Sequence, residues 1–264
     1  MSNGTASCKV LSTNLVGRYF ICRIAVNWAD TVIPGQFMMV HVPKDGERPL
    51  GRPLCISDRG DGWVEFTAAI VGQGTRAIAC TKPGDELRVL GPLGKGFQIS
   101  PVYRRIALVG GGVGIAELVL LSRQLNEQKR PAKFFAGARS KIDLVAMDRI
   151  AETSSSVAVV TEDGSEGTKG LVTEPLVSDL EKGLFDLVVA CGPHGMLIAV
   201  ASLAETHGVE SLVATEERMA CGIGACFGCT IPLEVGGKLK MVRVCAEGPV
   251  FRGKAFLGGL RHEV

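Results

Sequence analysis

The sequence predicts an α+β multi-domain chain: a small antiparallel β-barrel, then an α/β domain with a parallel sheet, then a short C-terminal segment rich in cysteine. Three observations carry this. Short strand-like runs separated by turn signals fill the first hundred residues. From Arg104 onward strands alternate with helices, as a parallel sheet requires. From about Thr215 the alternation gives way to glycine and cysteine. These changes divide the chain at residues 1–100, 101–215 and 216–264. A length of 264 residues accommodates two domains and a small third, at roughly 100–200 residues per domain.

In the first domain, strands are expected at residues 7–11, 19–25, 37–42, 63–70 and 86–90. Pro34-Gly35, Asp45-Gly46, Gly60-Asp61-Gly62 and Pro83-Gly84 punctuate them. No helical periodicity intervenes, which favours a closed antiparallel barrel. In the second domain an apolar run at 106–109 leads into Gly110-Gly111-Gly112-Val113-Gly114. The helix that follows carries Ile115, Leu118, Val119, Ser122 and Leu125 on one face, ends at Lys129-Arg130 and is stopped by Pro131. Further strands are expected at 133–136, 157–161 and 186–190, and an apolar helix over 197–204 covers the sheet. The last segment is too short to own an apolar core and needs something else to hold it together. The chain has no internal repeat and no low-complexity linker.

Composition excludes several classes. Hydrophobic residues at 46% and charged residues at 21% are globular values, which rules out disorder. Glycine, at 34 residues, is about twice its usual share of roughly 7% but has no collagen period, so it points to close-approach loops. Lysine plus arginine number 29 against 27 aspartates and glutamates, so no field draws in nucleic acid or an acidic membrane. No apolar run approaches the roughly 18 residues of a bilayer span. Residues 1–10 lack the pattern of an export signal, so the expectation is a soluble, cytoplasmic protein with reduced thiols.

Of nine cysteines, Cys8, Cys22, Cys55, Cys80 and Cys191 are scattered, whereas Cys221, Cys226, Cys229 and Cys245 crowd together as C-x4-C-x2-C-x15-C. That start is the plant-type spacing for a [2Fe–2S] cluster, with the fourth thiolate arriving from a distant segment. Gly222, Gly224, Ala225 and Gly228 leave room for the backbone to wrap an anionic cluster and aim N–H groups at its sulfurs. The alternative is zinc, although zinc ribbons pair two short Cys-x-x-Cys knuckles and this chain has one.

The glycine loop after a buried strand and before a helix is where α/β domains receive phosphates. It does not spell G-x-G-x-x-G, and no acidic residue ends the next strand, so the standard dinucleotide fingerprint is not met. A tight strand-to-helix turn is the alternative. Cys191 ends another buried strand, where open parallel sheets bind ligands, or is a small buried hydrophobe.

Taken together, Arg52-Pro53-Leu54-Cys55-Ile56-Ser57 and Gly72-Gln73-Gly74-Thr75 resemble the flavin-binding signatures of the ferredoxin–NADP reductase superfamily. The 110–114 loop and Cys191-Gly192-Pro193 resemble its nicotinamide dinucleotide motifs. Within that superfamily, the cysteine motif followed by Cys245-Ala246-Glu247-Gly248-Pro249-Val250-Phe251 resembles the electron transfer subunits of type B dihydroorotate dehydrogenases, and the order of parts matches over essentially the whole chain. The resemblance implies that Arg52, Pro53, Leu54, Cys55, Ala68, Ala69, Gly74 and Thr75 bind FAD, with the Arg52 guanidinium on flavin phosphate or ribityl oxygens. It implies that Gly110, Gly111, Gly112, Gly114, Cys191, Gly192 and Pro193 bind NAD(H) as cosubstrate, and that Cys221, Cys226, Cys229 and Cys245 hold the [2Fe–2S] cluster. It further implies a relay from NADH through FAD and cluster to the FMN of a separate catalytic subunit that interconverts dihydroorotate and orotate, in a heterotetramer of two of each subunit. No general acid or base is assigned in this chain.

There are departures from the pattern. Cys55 stands where relatives carry serine or threonine, Ala68-Ala69 where many carry Tyr-Arg beside the flavin, Glu117 where proline is common, and His194 where an acidic residue is usual. Arg139 and Lys141 are candidates for a 2′-phosphate or ordinary surface charges. Phe227 shields the cluster, touches a partner or packs in a core. His41, His207 and His262 have no metal or triad spacing. Two other readings stand beside the first: an NAD(P)H reductase subunit of a hydrogenase, sulfite reductase or ferredoxin reductase complex, and a zinc-stabilised binding protein.

Overall fold

A computed structural model describes residues 5–42 and 50–261. The Asp45-Gly46 turn and His262 lie outside these residues. The barrel is built from β1 (Ala6–Val16), β2 (Tyr19–Ala25), β3 (Phe37–His41), β4 (Arg52–Gly60), β5 (Trp63–Ala69) and β6 (Glu86–Leu93), with α1 (Gln73–Ala79) between β5 and β6. All neighbours are antiparallel, in the order β1-β2-β5-β4-β3-β6, and β1 pairs with β6 to close it. Inward-facing Phe20, Cys22, Ile24, Met38, Val40, Ile56, Val64 and Phe66 fill the interior.

Two elements here were not foreseen. β4 entered the sequence analysis only as the Arg52–Ser57 motif; within the strand, Pro53 sits opposite Met39 and gives up one ladder donor. α1 has only seven residues, too few for a periodicity to register.

The second domain runs β7 (Ile106–Gly111), α2 (Gly114–Glu117), α3 (Val119–Glu127), β8 (Lys133–Ala138), α4 (Met147–Thr153), β9 (Ser156–Thr161), β10 (Thr168–Lys169), α5 (Thr173–Glu181), β11 (Leu187–Cys191), α6 (His194–Thr206) and β12 (Glu210–Ala214). The single helix expected after the glycine loop is two, broken at Leu118, and it stops at Glu127. Arg130 is buried and does not trail off the helix: its Nη1 donates to the carbonyls of Ser100 and Tyr103, 3.0 Å from each, and so ties down the connection from the barrel.

The C-terminal segment folds as the hairpin β13 (Thr230–Val235) and β14 (Lys238–Arg243), then α7 (Val244–Glu247), β15 (Val250–Arg252) and α8 (Gly253–Leu260). β15 joins the sheet antiparallel to β12, giving the order β10-β9-β8-β7-β11-β12-β15. Its apolar residues are also shared: Ile231, Leu233, Val242, Phe251, Phe256 and Leu257 pack in one cluster with Val188, Leu197 and Val200 of the sheet and α6. The segment thus borrows its core from its neighbour through side chains, which a reading of the segment alone could not supply.

Barrel and sheet are clamped by buried charge. Asp58 and Glu65, on β4 and β5, face Arg123 of α3 and Arg149 of α4. Arg123 Nη1 lies 2.7 Å from Asp58, and Arg149 Nη1 lies 2.6 Å from Glu65 and 3.3 Å from Asp58. Arg23 adds a 2.8 Å contact to Glu65 from within the barrel. Where barrel, sheet and C-terminal segment meet, a cavity opens.

Candidate functional site

In the sheet, β7 lies between β8 and β11, so the chain winds one way from β7 to β9 and the other from β11 to β12. The crevice beyond the carboxyl ends of β7 and β11 is the topological switch point, where open α/β sheets bind ligands. Gly110 and Cys191 are register partners there. The packing leaves no latitude at Gly114: a Cβ would stand 2.2 Å from the Cys191 carbonyl oxygen and 2.8 Å from the Gly192 nitrogen. Gly114→Ala is therefore expected to cost about 1–3 kcal/mol through forced backbone displacement, measured as a lower urea midpoint with unchanged slope.

Gly111, Gly112 and Pro193 line a cleft of about 470 Å³ with Arg139, Glu162 and Arg18. A second lobe of about 340 Å³ adds Tyr19, Gly192, His194 and Glu216. Arg139 remains in the cleft, whereas Lys141 is paired to Glu166 at 2.7 Å. Glu162, which follows β9, is an acidic lining residue that a search at the end of β8 could not find.

The seam cavity, about 320 Å³, is lined by Arg52, Pro53, Leu54, Cys55, Ala68, Ala69 and Thr75 from the barrel and by Glu117, Cys191 and Glu216 from the other side. Every barrel candidate except Gly74 thus reaches one surface. Gly74 acts behind it: a Cβ there would meet Arg52 Nε at 2.3 Å, so only glycine lets the guanidinium lie across the α1 turn. Thr75 Oγ1 accepts from the Val71 and Gly72 amides and donates to the Gly72 carbonyl, so its hydroxyl shapes its own loop.

Ala68 and Ala69 offer only methyl groups, but β2 compensates. Tyr19 pairs with Ala69, and Arg18 Nη2 donates to Tyr19 Oη at 3.1 Å while its Nε holds Asp143 at 2.8 Å. An Arg-Tyr pair thus borders the cavities from the neighbouring strand. The signal that could have found it was cross-strand pairing, not chain order.

The four clustered cysteines come together at the root of the 13–14 hairpin. Cys245 N lies 3.5 Å from Cys229 Sγ, and the Gly224 amide donates to Cys245 Sγ at 3.1 Å. Burial, then the Cys229 thiol beside it, pushes the Cys245 thiol up to about 12. Burial also raises Cys221, but amides of Ile223, Cys226 and Ala225 and the Cys226 thiol outweigh it and bring it down to about 6. The thiols thus fall into two pairs, Cys221 with Cys226 and Cys229 with Cys245. Among the described residues, no three His, Cys, Asp or Glu side chains are grouped closely enough to hold a metal ion, so the four thiols stand as two neighbouring pairs. Paired thiolates suit two irons; a zinc ion wants four ligands at about 2.3 Å from one centre.

Arg243 braces the loop, donating to the Gly224 carbonyl at 3.0 Å and stacking its guanidinium 5.0 Å from the Phe227 ring centre. Phe227 is 63% exposed, so core packing is not its role. His194 stacks edge-on against Phe256.

Fold and site together place the chain among iron–sulfur flavoprotein oxidoreductases built on the ferredoxin–NADP reductase fold. Residues 216–257 match the family model for the iron–sulfur cluster binding domain of dihydroorotate dehydrogenase B, and residues 108–202 match the oxidoreductase NAD-binding domain. The dihydroorotate dehydrogenase B (NAD(+)) electron transfer subunit of Clostridium acetobutylicum is 35% identical over 90% of this chain and 91% of its own, and that of Enterococcus faecalis strain OG1RF is 39% identical over 84% and 86%. The chain belongs to the family of dihydroorotate dehydrogenase B electron transfer subunits. Among solved structures, the NADH-dependent reduced ferredoxin-NADP oxidoreductase studied for flavin-based electron bifurcation is 32% identical, with TM-score 0.83 over 97% of this chain and 91% of that one. A ferredoxin NADP+ reductase of Neisseria gonorrhoeae, 18% identical with TM-score 0.66 over 77% and 92%, shares the fold. No described helix is long and apolar enough to cross a membrane.

Proposed function

We propose that the chain passes electrons between NAD(H), FAD and a [2Fe–2S] cluster to the FMN-containing catalytic subunit of a dihydroorotate dehydrogenase in pyrimidine biosynthesis. The observation that carries this reading is spatial: the seam cavity shares Ala69, Val113, Thr215 and Glu216 with the second lobe of the dinucleotide cleft, and Met219 on its wall stands two residues before Cys221. When bound, FAD would supply two-electron exchange with nicotinamide and one-electron release, and the cluster held by the cysteines would carry one electron at a time.

The protein's own residues set the geometry. Residues 1–100 present Arg52, whose fork suits flavin phosphate oxygens, with Pro53, Leu54, Cys55, Ala68 and Ala69 forming the wall and Gly74 and Thr75 the turn. Residues 101–215 offer the Gly110–Gly114 backbone and Cys191-Gly192-Pro193 to NAD(H), and Glu162 can accept from ribose hydroxyls where Arg139 would greet a 2′-phosphate. Residues 216–264 hold the cluster on Cys221, Cys226, Cys229 and Cys245. Exposed Ile223 and Phe227, which lie between the cysteines of the loop, offer an apolar surface suited to the catalytic subunit. We further propose a cytoplasmic heterotetramer of two of each subunit.

NADH-linked orotate reduction on adding the catalytic subunit tests the reading; a clean preparation lacking both FAD and iron defeats it. A second reading is favoured by the 32% identity to the bifurcating oxidoreductase: the chain is then the NAD(P)H reductase subunit of another complex, such as a hydrogenase, sulfite reductase or ferredoxin reductase. Whichever partner restores turnover decides between them. Arg52→Ala is expected to weaken FAD binding about ten- to a hundredfold, the equivalent of roughly 1.5–3 kcal/mol for a charged hydrogen bond, measured by flavin fluorescence titration.

A further inference from the structure

Glu117 is a buried carboxyl in the wall of the seam cavity, at a position where the family resemblance puts proline. Its Oε2 accepts a hydrogen bond from the Cys191 thiol at 2.8 Å. Cys55, from β4, brings a second thiol within hydrogen-bonding reach and also donates to the Gln36 carbonyl at 3.5 Å. Glu216, just after β12, hydrogen-bonds Glu117 with its own carboxyl and faces the open cavity. Arg52 of β4 is the cation lining the same cavity and Glu217 a further acid, while the groups that act most strongly on Glu117 are Glu216 and the thiols of Cys191 and Cys55.

Two carboxyls in hydrogen-bond contact share one proton between them, because the bond itself needs one of them protonated. Burial first, then the Glu216 charge, pushes Glu117 up to about 8, and burial raises Glu216 as well. Glu117 is the costly member to bury, whereas Glu216 beside it reaches the surface.

We propose that the Glu117–Glu216 carboxyl pair, braced by the Cys191 and Cys55 thiols, is the proton-holding site of the seam cavity. Oxidising one NADH breaks one C–H bond and yields NAD+, two electrons and one proton. The electrons leave singly toward the partner, which is the oxidant; the proton is left beside the cavity wall and needs a base. A carboxylate oxygen of the pair takes it, forming an O–H bond, and in the reverse direction that bond breaks and the proton returns with two electrons to make NADH. Glu216, on the open side, exchanges it with solvent. This rests on the relay described above.

The test uses infrared difference spectroscopy on the FAD-loaded chain, reduced with dithionite so that NADH binding is not required. With 13C-labelled glutamate in the unmutated protein, a protonated carboxyl band is expected to change on reduction and to move with the label. That band is lost in Glu117→Gln, and in Glu216→Gln it titrates at lower pH because the like charge is gone. NADH-driven partner reduction is expected to rise with pH as the pair gives up its shared proton, and that rise is lost in Glu117→Gln. Absence of a label-sensitive carboxyl change in the unmutated protein, while NADH still bleaches its flavin, overturns the proposal. Failure of NADH to bleach the flavin overturns the relay instead.

Discussion

Cys226→Ser is expected to leave FAD bound and reducible by NADH while electron delivery to the partner subunit falls to background. Cys226 is exposed on the loop and pairs with Cys221, so its loss removes one of two thiolates from one end of the set. The variant should remain folded, because the C-terminal segment shares its apolar core with β11 and α6 and adds β15 to the sheet. Iron analysis and visible absorbance verify the loss of the cluster, and stopped-flow mixing with NADH follows the flavin alone. Undiminished partner reduction in an iron-free preparation would falsify the order of carriers.

Arg149→Ala should have the second large effect, on stability and flavin retention together. The guanidinium reaches Glu65, whose side chain is 2% exposed, and Asp58, which is 7% exposed. Removing one partner from a buried pair leaves charge uncompensated, at a cost of about 3–5 kcal/mol. Arg23 and Arg123 remain as partial substitutes, so a loss of about 3 kcal/mol is expected. At roughly 2–4 °C per kcal/mol for a chain of this size, the unfolding midpoint drops by on the order of 10 °C. Because the clamp joins barrel to sheet, FAD affinity should fall as well, although no cavity residue has changed. A midpoint within about 1 °C of the parent would show that the clamp adds nothing.

The parts of the molecule written locally were legible in sequence. β2 emerged at its bounds from alternation, and the glycine loop and Cys191 were placed at strand ends where they stand as register partners. The cysteine spacing pointed to thiols that the fold does gather. What was not legible depends on neighbours distant in sequence. β4 was legible only as a motif; the donor that Pro53 lacks matters little where the strand carries that motif into the cavity. Arg18 and Tyr19 gain meaning only through pairing with Ala69 across the ladder. Glu117 read as a harmless departure until Cys191, Cys55 and Glu216 converged on it from three other elements.

The antiparallel placement of β15 against β12 reaches beyond packing. It means that the cluster segment cannot be treated as a detachable cartridge. A chain ending before it would bare the hydrogen-bonding row of β12 and the apolar face of α6, a template for pairing with other copies. Acquiring or discarding a cluster tail on this type of reductase thus requires refinishing one edge of the nucleotide sheet at the same time, so tail and sheet are bound to change together in evolution and must be exchanged together in any chimaera.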